Sequence, residues 1–122
     1  MILGTMRLDQ MRPQPKQRAR TFVRGGKVIS ATPPATVAYE QYVAASWRGP
    51  RCFEGVVKVT IAVQEGPGHP ADLDNFVKVI LDGLNGVAWV DDKQVVAIDA
   101  KIHRGQDRPA IDVIVEGWEA AE

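Results

Sequence analysis

The residues with the most chemistry to offer fall between Pro70 and Val95. There the run PADLDNFVKVILDGLNGVAWVDDKQV sets Asp72 and Asp74 before a helical pattern, Lys78 inside it, and Asp91-Asp92 beyond an Asn85-Gly86 stop. In an extended segment, residues i and i+2 point the same way, so Asp72 and Asp74 would present two carboxylates about 7 Å apart along one face. Asp74, Lys78 and Asp82 recur at i, i+4 and i+8, which puts the ammonium on the helical face of Asp74, about 6 Å along the axis.

Two ionised carboxylates about 4 Å apart repel by about 4 kcal/mol at an effective dielectric of about 20. Converging acids therefore need a cation. Oxygen donors without His or Cys in their company favour Mg²⁺, with Mn²⁺ as a substitute, over Zn²⁺; Mg²⁺ keeps waters and takes phosphate oxygens to complete its shell. The metal-ligand candidates are Asp72, Asp74, Asp92 and Asp91, and the chemistry they suggest is phosphodiester hydrolysis, with Lys78 holding positive charge beside the phosphate. A plainer reading competes on spacing alone: Asp72 or Asp74 caps the helix, and Asp91-Asp92-Lys93 is an ordinary turn. His69, in the preceding loop, stands close to Asp72 in sequence but is left out of the site, because a loop histidine is more often a bystander.

These residues need elements to hold them. Phe76, Val77, Ile80, Leu81 and Leu84 form a one-sided apolar stripe, which predicts a helix over 75–85. Val57, Val59, Ile61 and Val63 alternate along 56–63 and predict a central strand. The Gly- and Pro-rich loop 64–70 between them reads as mobile. After the second acid pair, Val96, Ile98, Ala100 and Ile102 are expected to face inward on a strand over 95–103. Ile111, Val113 and Val115 do the same on a last strand, and these two are expected to pair antiparallel beside 56–63.

Upstream, Gly25-Gly26 sits between 21–24 and 27–30, a hairpin signal. A helix is expected over 35–48, with Tyr39, Tyr42, Val43 and Trp47 toward one side and core packing favoured over base stacking. The fold class expected is α+β: a mixed sheet of about five strands with two main helices, in one domain spanning 1–122.

With 122 residues, 45 % of them hydrophobic and 25 % charged, the chain suits one ordinary globular domain rather than a disordered segment. No run is long and apolar enough to cross a membrane, and residues 1–8 lack the layout of a signal peptide, so a cytoplasmic location is expected. The lone Cys52 is expected to be a packed or half-buried thiol. Net charge is zero, but residues 1–30 carry Arg7, Arg12, Lys16, Arg18, Arg20, Arg24 and Lys27 against Asp9 alone. A basic front end beside an acidic site suits a protein that holds a phosphate backbone. Lys16, Arg18, Arg20, Arg24 and Lys27, on an arm over about 12–30 that ends in the hairpin, are the DNA-binding candidates; a merely solvated basic face is the competing reading.

Taken together, Asp72-Leu73-Asp74-Asn75-Phe76-Val77-Lys78, Leu81-Asp82-Gly83-Leu84-Asn85-Gly86 and Asp91-Asp92-Lys93-Gln94-Val95 resemble the D-x-D-N-x-x-K, L-D-x-L-N-G and D-D-x-Q-V signature of the RusA family of Holliday junction resolvases. Pro13-Gln14-Pro15-Lys16-Gln17-Arg18 resembles the stretch before that family's first hairpin. The resemblance is strong over 70–95 and looser over 13–63. It implies that Asp72, Asp74, Lys78 and Asp92 are catalytic, with Asp91 as a helper. It further implies a magnesium-dependent homodimer that resolves four-way DNA junctions by paired nicks in recombination and repair, with no small-molecule cofactor. Two alternatives stay open on the sequence: a Mg²⁺-dependent nuclease for flaps or other branched DNA, and a non-catalytic DNA-binding module.

Overall fold

Strict alternation makes Val57, Val59, Ile61 and Val63 wholly buried, while Lys58, Thr60, Ala62 and Gln64 between them stay half-buried. In the computed structural model, which describes residues 1–118, this strand is an inner member of a four-stranded mixed sheet. In chain order the elements are β1 (Ile2–Leu8), β2 (Arg20–Arg24), β3 (Lys27–Ala31), α1 (Pro34–Ser46), β4 (Val57–Gln64), α2 (Leu73–Leu84), a 3-10 turn (Asp92–Gln94), β5 (Val95–His103) and β6 (Ala110–Gly117). Residues 119–122, the end of the domain expected over 1–122, lie outside the described residues.

The sheet runs β1-β6-β4-β5, with β6 antiparallel to both β1 and β4 and with β5 parallel to β4. The two helices pack against each other and on the sheet around Tyr39, Val43, Phe76, Ile80 and Leu84. This is the α+β class with a mixed sheet and two main helices. The strands divide, however, into this sheet of four and a separate two-stranded hairpin, β2–β3.

Several expectations are corrected by the strand order. β5 and β6 do not pair with each other; β4 lies between them, because the chain crosses over through α2 and lays β5 parallel to β4. Val96 and Ile98 are not inward: they are 55 % and 47 % exposed. Val96 sits at a register shift against β4, and β5 is the edge of the sheet, so only Val95, Ala100 and Ile102 pack against the core. β1, which the sequence pattern did not reveal, closes the opposite edge and buries only Met6 and Leu8 fully. Cys52 is exposed, at a left-handed φ of 54°.

α1 begins with Pro34 in its first turn, where a missing N–H costs nothing. Tyr39, Val43 and Trp47 are buried at i, i+4 and i+8, so neither Tyr39 nor Trp47 can stack on a base. The hairpin turns through Gly25 and Gly26 with φ of 59° and 78°, the backbone that a two-residue primed turn requires. Its Val23 and Val28 lie directly opposite each other and are 72 % and 74 % exposed. Arg24 and Lys27 flank the turn at the tip of this arm.

Candidate active site

α2 positions the first group of acids. It starts at Leu73, earlier than the apolar stripe alone implied, so Asp74 is in the first helical turn and Asp72 is the N-cap. The segment is therefore not extended through Asp74. Asp72 has the N-cap backbone, φ −73° and ψ 137°, but its side chain makes no capping hydrogen bond. Both carboxylates are exposed at the positive end of the helix dipole, which favours negative charge. The side that anchors them is apolar: Phe76, Val79, Ile80, Gly83 and Leu84 are buried, and Val77 and Leu81 pack at its margins.

The loop before α2, for all its glycines and prolines, is tied to the fold at Glu65 and Ala71. Glu65 is only 7 % exposed, accepts a hydrogen bond from the Ala71 N–H at 2.9 Å, and meets Arg104 at 2.7 Å. Arg104 also donates to the Ala71 carbonyl. Burial works against the charge on Glu65, but the Ala71 N–H and the guanidiniums of Arg104 and Arg12 outweigh it and hold the carboxyl below its usual range. This pair fixes the start of α2, and thereby Asp72. Sequence reasoning missed it, since its members stand 39 residues apart.

One turn along, Lys78 is exposed and has no carboxylate partner among the described residues. With Asn75 it lines a cavity of ≈ 420 Å³, whose far wall is Gln17, Arg18, Ala19 and Thr32. Arg18 is likewise unpaired among the described residues, so two cations face the same hollow. Lys16, also at its rim, is differently placed. Its ammonium lies 2.8 Å from Glu40 and 3.0 Å from Asp82, and its N–H donates to the Asn75 carbonyl. Partial burial acts to lower its pKa, yet the two carboxylates prevail and raise it above the ordinary lysine value. Lys16 ties α1, α2 and the arm together, with its ammonium engaged by two carboxylates. Arg24 and Lys27 have no ion pair among the described residues, and the side chain of Arg20 lies outside them.

The second group of acids is held differently. Asp91 caps the 3-10 turn, accepting from the Lys93 N–H, while the Gln94 side-chain Oε1 accepts from the Val90 and Asp91 N–H groups at 2.9 Å. The Gln94 side-chain Nε2 donates to the Phe53 and Gly55 carbonyls at 2.6 and 2.8 Å. Gln94 thus saturates its hydrogen-bonding capacity in building this turn. Asp92, half-buried, accepts from the indole N–H of wholly buried Trp89 at 2.9 Å, which fixes one carboxylate oxygen and leaves the other available.

The two groups of acids do not meet in one chain. α2 starts beside His103, through Glu65 and Arg104, and ends at Leu84 beside Phe53, through the Cys52–Val87 and Phe53–Ala88 backbone bonds. Asp91 and Asp92 follow that far end and lead into Val95, which pairs with Val57. A twelve-residue helix is about 18 Å long. Among the described residues, no group of three or more His, Cys, Asp or Glu side chains is placed to hold a metal ion. The expected centre built from Asp72, Asp74, Asp91 and Asp92 is thus not assembled within one chain. Asp72 and Asp74 offer hard oxygen donors, and Asp91 and Asp92 lie beyond the other end of α2 from them.

The sequence profile of the Endodeoxyribonuclease RusA family matches residues 10–116, from the arm through β6. The chain belongs to the RusA family. It is thereby a member of a family of DNA-cutting nucleases, and the matched region contains both groups of acids, Lys78 and the arm. It is also similar to YqaN, an uncharacterized protein of Bacillus subtilis (strain 168), at 29 % identity over 128 residues, covering 84 % of this chain and 89 % of that protein. No helix among the described residues is long and apolar enough to cross a membrane.

Proposed function

We propose that this RusA-family protein is a Mg²⁺-dependent, structure-specific endodeoxyribonuclease that opens four-way DNA junctions by paired symmetric nicks, as a homodimer, in the cytoplasm. The observation that carries the reading is the start of α2: two exposed carboxylates with no hydrogen bond spent on capping, one turn from an unpaired Lys78 that shares a hollow with Arg18. An Asp at the N-cap normally caps the helix with its side chain; Asp72 does not.

In this reading Lys78 and Arg18 seat the scissile phosphate and its neighbour, and Asp72 and Asp74 lie where negative charge would repel DNA unless a cation joined them. Bound Mg²⁺ would supply the charge that lets water attack phosphorus. The hairpin tip, with Arg24 and Lys27, meets the backbone farther out. Hydrolysis breaks one P–O bond and leaves a 5′-phosphate that a ligase can seal. A junction has two equivalent scissile phosphates, so two copies of the chain are needed to nick both.

The test is to incubate the protein with a mobile four-way junction, a flap and a linear duplex, each with Mg²⁺ and with chelator. Symmetric nicks in the junction, dependent on Mg²⁺ and absent from the duplex, are expected. Equal cutting of flap and junction would replace junction resolution with general branched-DNA cleavage, and binding without cutting would leave a DNA-binding module.

A further inference from the structure

Most aromatic side chains of this chain are spent on its core: Tyr39, Trp47, Phe76 and Trp89 are all buried. Phe22 is not. It is 42 % exposed, the one exposed aromatic among the described residues, and it stands outside both the core and the side chains packed at the core's margin. Its strand, β2, makes its main contacts with β3, so the hairpin projects from the domain rather than packing on it. A ring so placed contributes little to holding the fold together.

Strand register gives the hairpin two unlike faces. Side chains alternate along each strand, and the cross-strand pairs are Arg24–Lys27, Val23–Val28, Phe22–Ile29 and Thr21–Ser30. Phe22 and Ile29 therefore share one face with Arg24 and Lys27, while Val23 and Val28 share the other with two hydroxyls and no charge. Arg24 and Lys27 are exposed and have no ion pair among the described residues. A ring beside two free cations on one surface is a platform for a nucleotide: the base lies on the ring and the phosphates reach the cations.

The hairpin also springs from the right place. Ala19 and Thr32, just outside its two strands, line the hollow that Lys78 and Arg18 share. Phe22–Ile29 lies two pairs beyond Arg20–Ala31, about 7 Å along the ribbon, and a stacked strand rises about 3.4 Å per nucleotide. A strand with a phosphate in the hollow thus reaches the ring within about two nucleotides. We infer that Phe22, beside Ile29 and flanked by Arg24 and Lys27, receives a base freed from its stack at the branch point of the DNA. This rests on the proposed junction reading and adds to it a residue that tells branched DNA from linear. Stacking is already interrupted at a branch point, so a base there comes free at lower cost than one inside a duplex.

Binding without cutting tests this, with chelator present, on a four-way junction, a single-stranded oligothymidine and a linear duplex. Phe22→Leu keeps an apolar side chain and removes the π face. Its affinity for the junction and for the single strand is expected to fall by about 5-fold to 150-fold, the scale of one base–aromatic stack, with duplex affinity and salt dependence unchanged. Phe22→Tyr, which keeps a ring, is expected to bind like wild type, and so is Val23→Thr on the opposite face. In a second readout, 5-iododeoxyuridine at the branch point is expected to photo-cross-link to Phe22.

Wild-type junction affinity in Phe22→Leu would overturn the inference, as would an equal loss on the duplex, an equal loss in Phe22→Tyr or Val23→Thr, or a branch-point cross-link that misses Phe22. None of these readouts needs hydrolysis, so each can fail while Asp72→Asn still abolishes cutting. Wild type that binds junction and duplex alike would instead overturn the junction reading itself.

Discussion

The two ends of α2 carry acids of the same type to different purposes. At its start, Asp72 and Asp74 are exposed and accept no hydrogen bond that would explain their presence as structure. Beyond its end, Asp91 caps a 3-10 turn and Asp92 receives an indole N–H, with Gln94 binding four backbone groups around them. Hydrogen-bond accounting separates what proximity in sequence does not. The first pair takes no part in hydrogen bonds that build the fold, and the second is part of how the fold is made.

The largest stability effect expected is at the far end. Gln94→Ala strips partners from the Val90 and Asp91 N–H groups and the Phe53 and Gly55 carbonyls, at about 1–3 kcal/mol for each group that water cannot reach. Asp72→Asn should stay within about 1 kcal/mol of wild type, the scale of a helix-dipole contact. Urea unfolding of both variants measures the contrast. Equal losses would erase the distinction between the two ends.

Lys16 and Arg18 sharpen the comparison within the arm. Lys16→Ala leaves Glu40 and Asp82 facing each other without their shared cation and should cost about 1–3 kcal/mol, with little change in the salt dependence of DNA binding. Arg18→Ala should leave stability nearly unchanged and reduce the slope of log affinity against log salt by about 0.9. Unfolding curves and a salt titration on one junction separate the two. A fall in slope for Lys16→Ala equal to that for Arg18→Ala would place Lys16 on the DNA.

The smallest effect expected is a pH response at the start of α2. The Glu65 carboxyl is depressed in the folded protein, so its contribution is fully present above its ordinary value of 4.5 and is lost as pH falls below that and through the folded value. Wild type should lose stability in that acid window, and Glu65→Gln should flatten part of the loss. An unchanged acid limb in Glu65→Gln would show that Arg104 holds the loop without needing the charge.

Much of this architecture was legible because its signals are local. Alternation from Val57 to Val63, the stripe from Phe76 to Leu84, Gly25-Gly26 at the hairpin turn and the motif acids can each be read within a short window. Strand order could not be read that way: alternation does not say which strand lies between two others, so β5 looked like a partner of β6 and its edge position, with Val96 and Ile98 exposed, went unseen. Ion pairs hid for the same reason. Nothing near Lys16 in sequence announces Glu40 and Asp82, and nothing near Glu65 announces Arg104. The convergence of Asp72, Asp74 and Asp92 was inferred from a compact stretch of sequence, but a helix and a turn inside that stretch carry its two acidic ends apart.

The central claim is that the uncommitted carboxylates at the start of α2 serve DNA cleavage, and single-turnover cutting of a four-way junction by Asp72→Asn and Asp74→Asn tests it most directly. Junction affinity in Mg²⁺ and the unfolding midpoint should stay close to wild type in both variants, while the rate of nicking falls by about 100-fold or more, the scale of losing a group that acts on the transition state. Cutting at near wild-type rates by both variants, with folding and binding intact, would contradict the account.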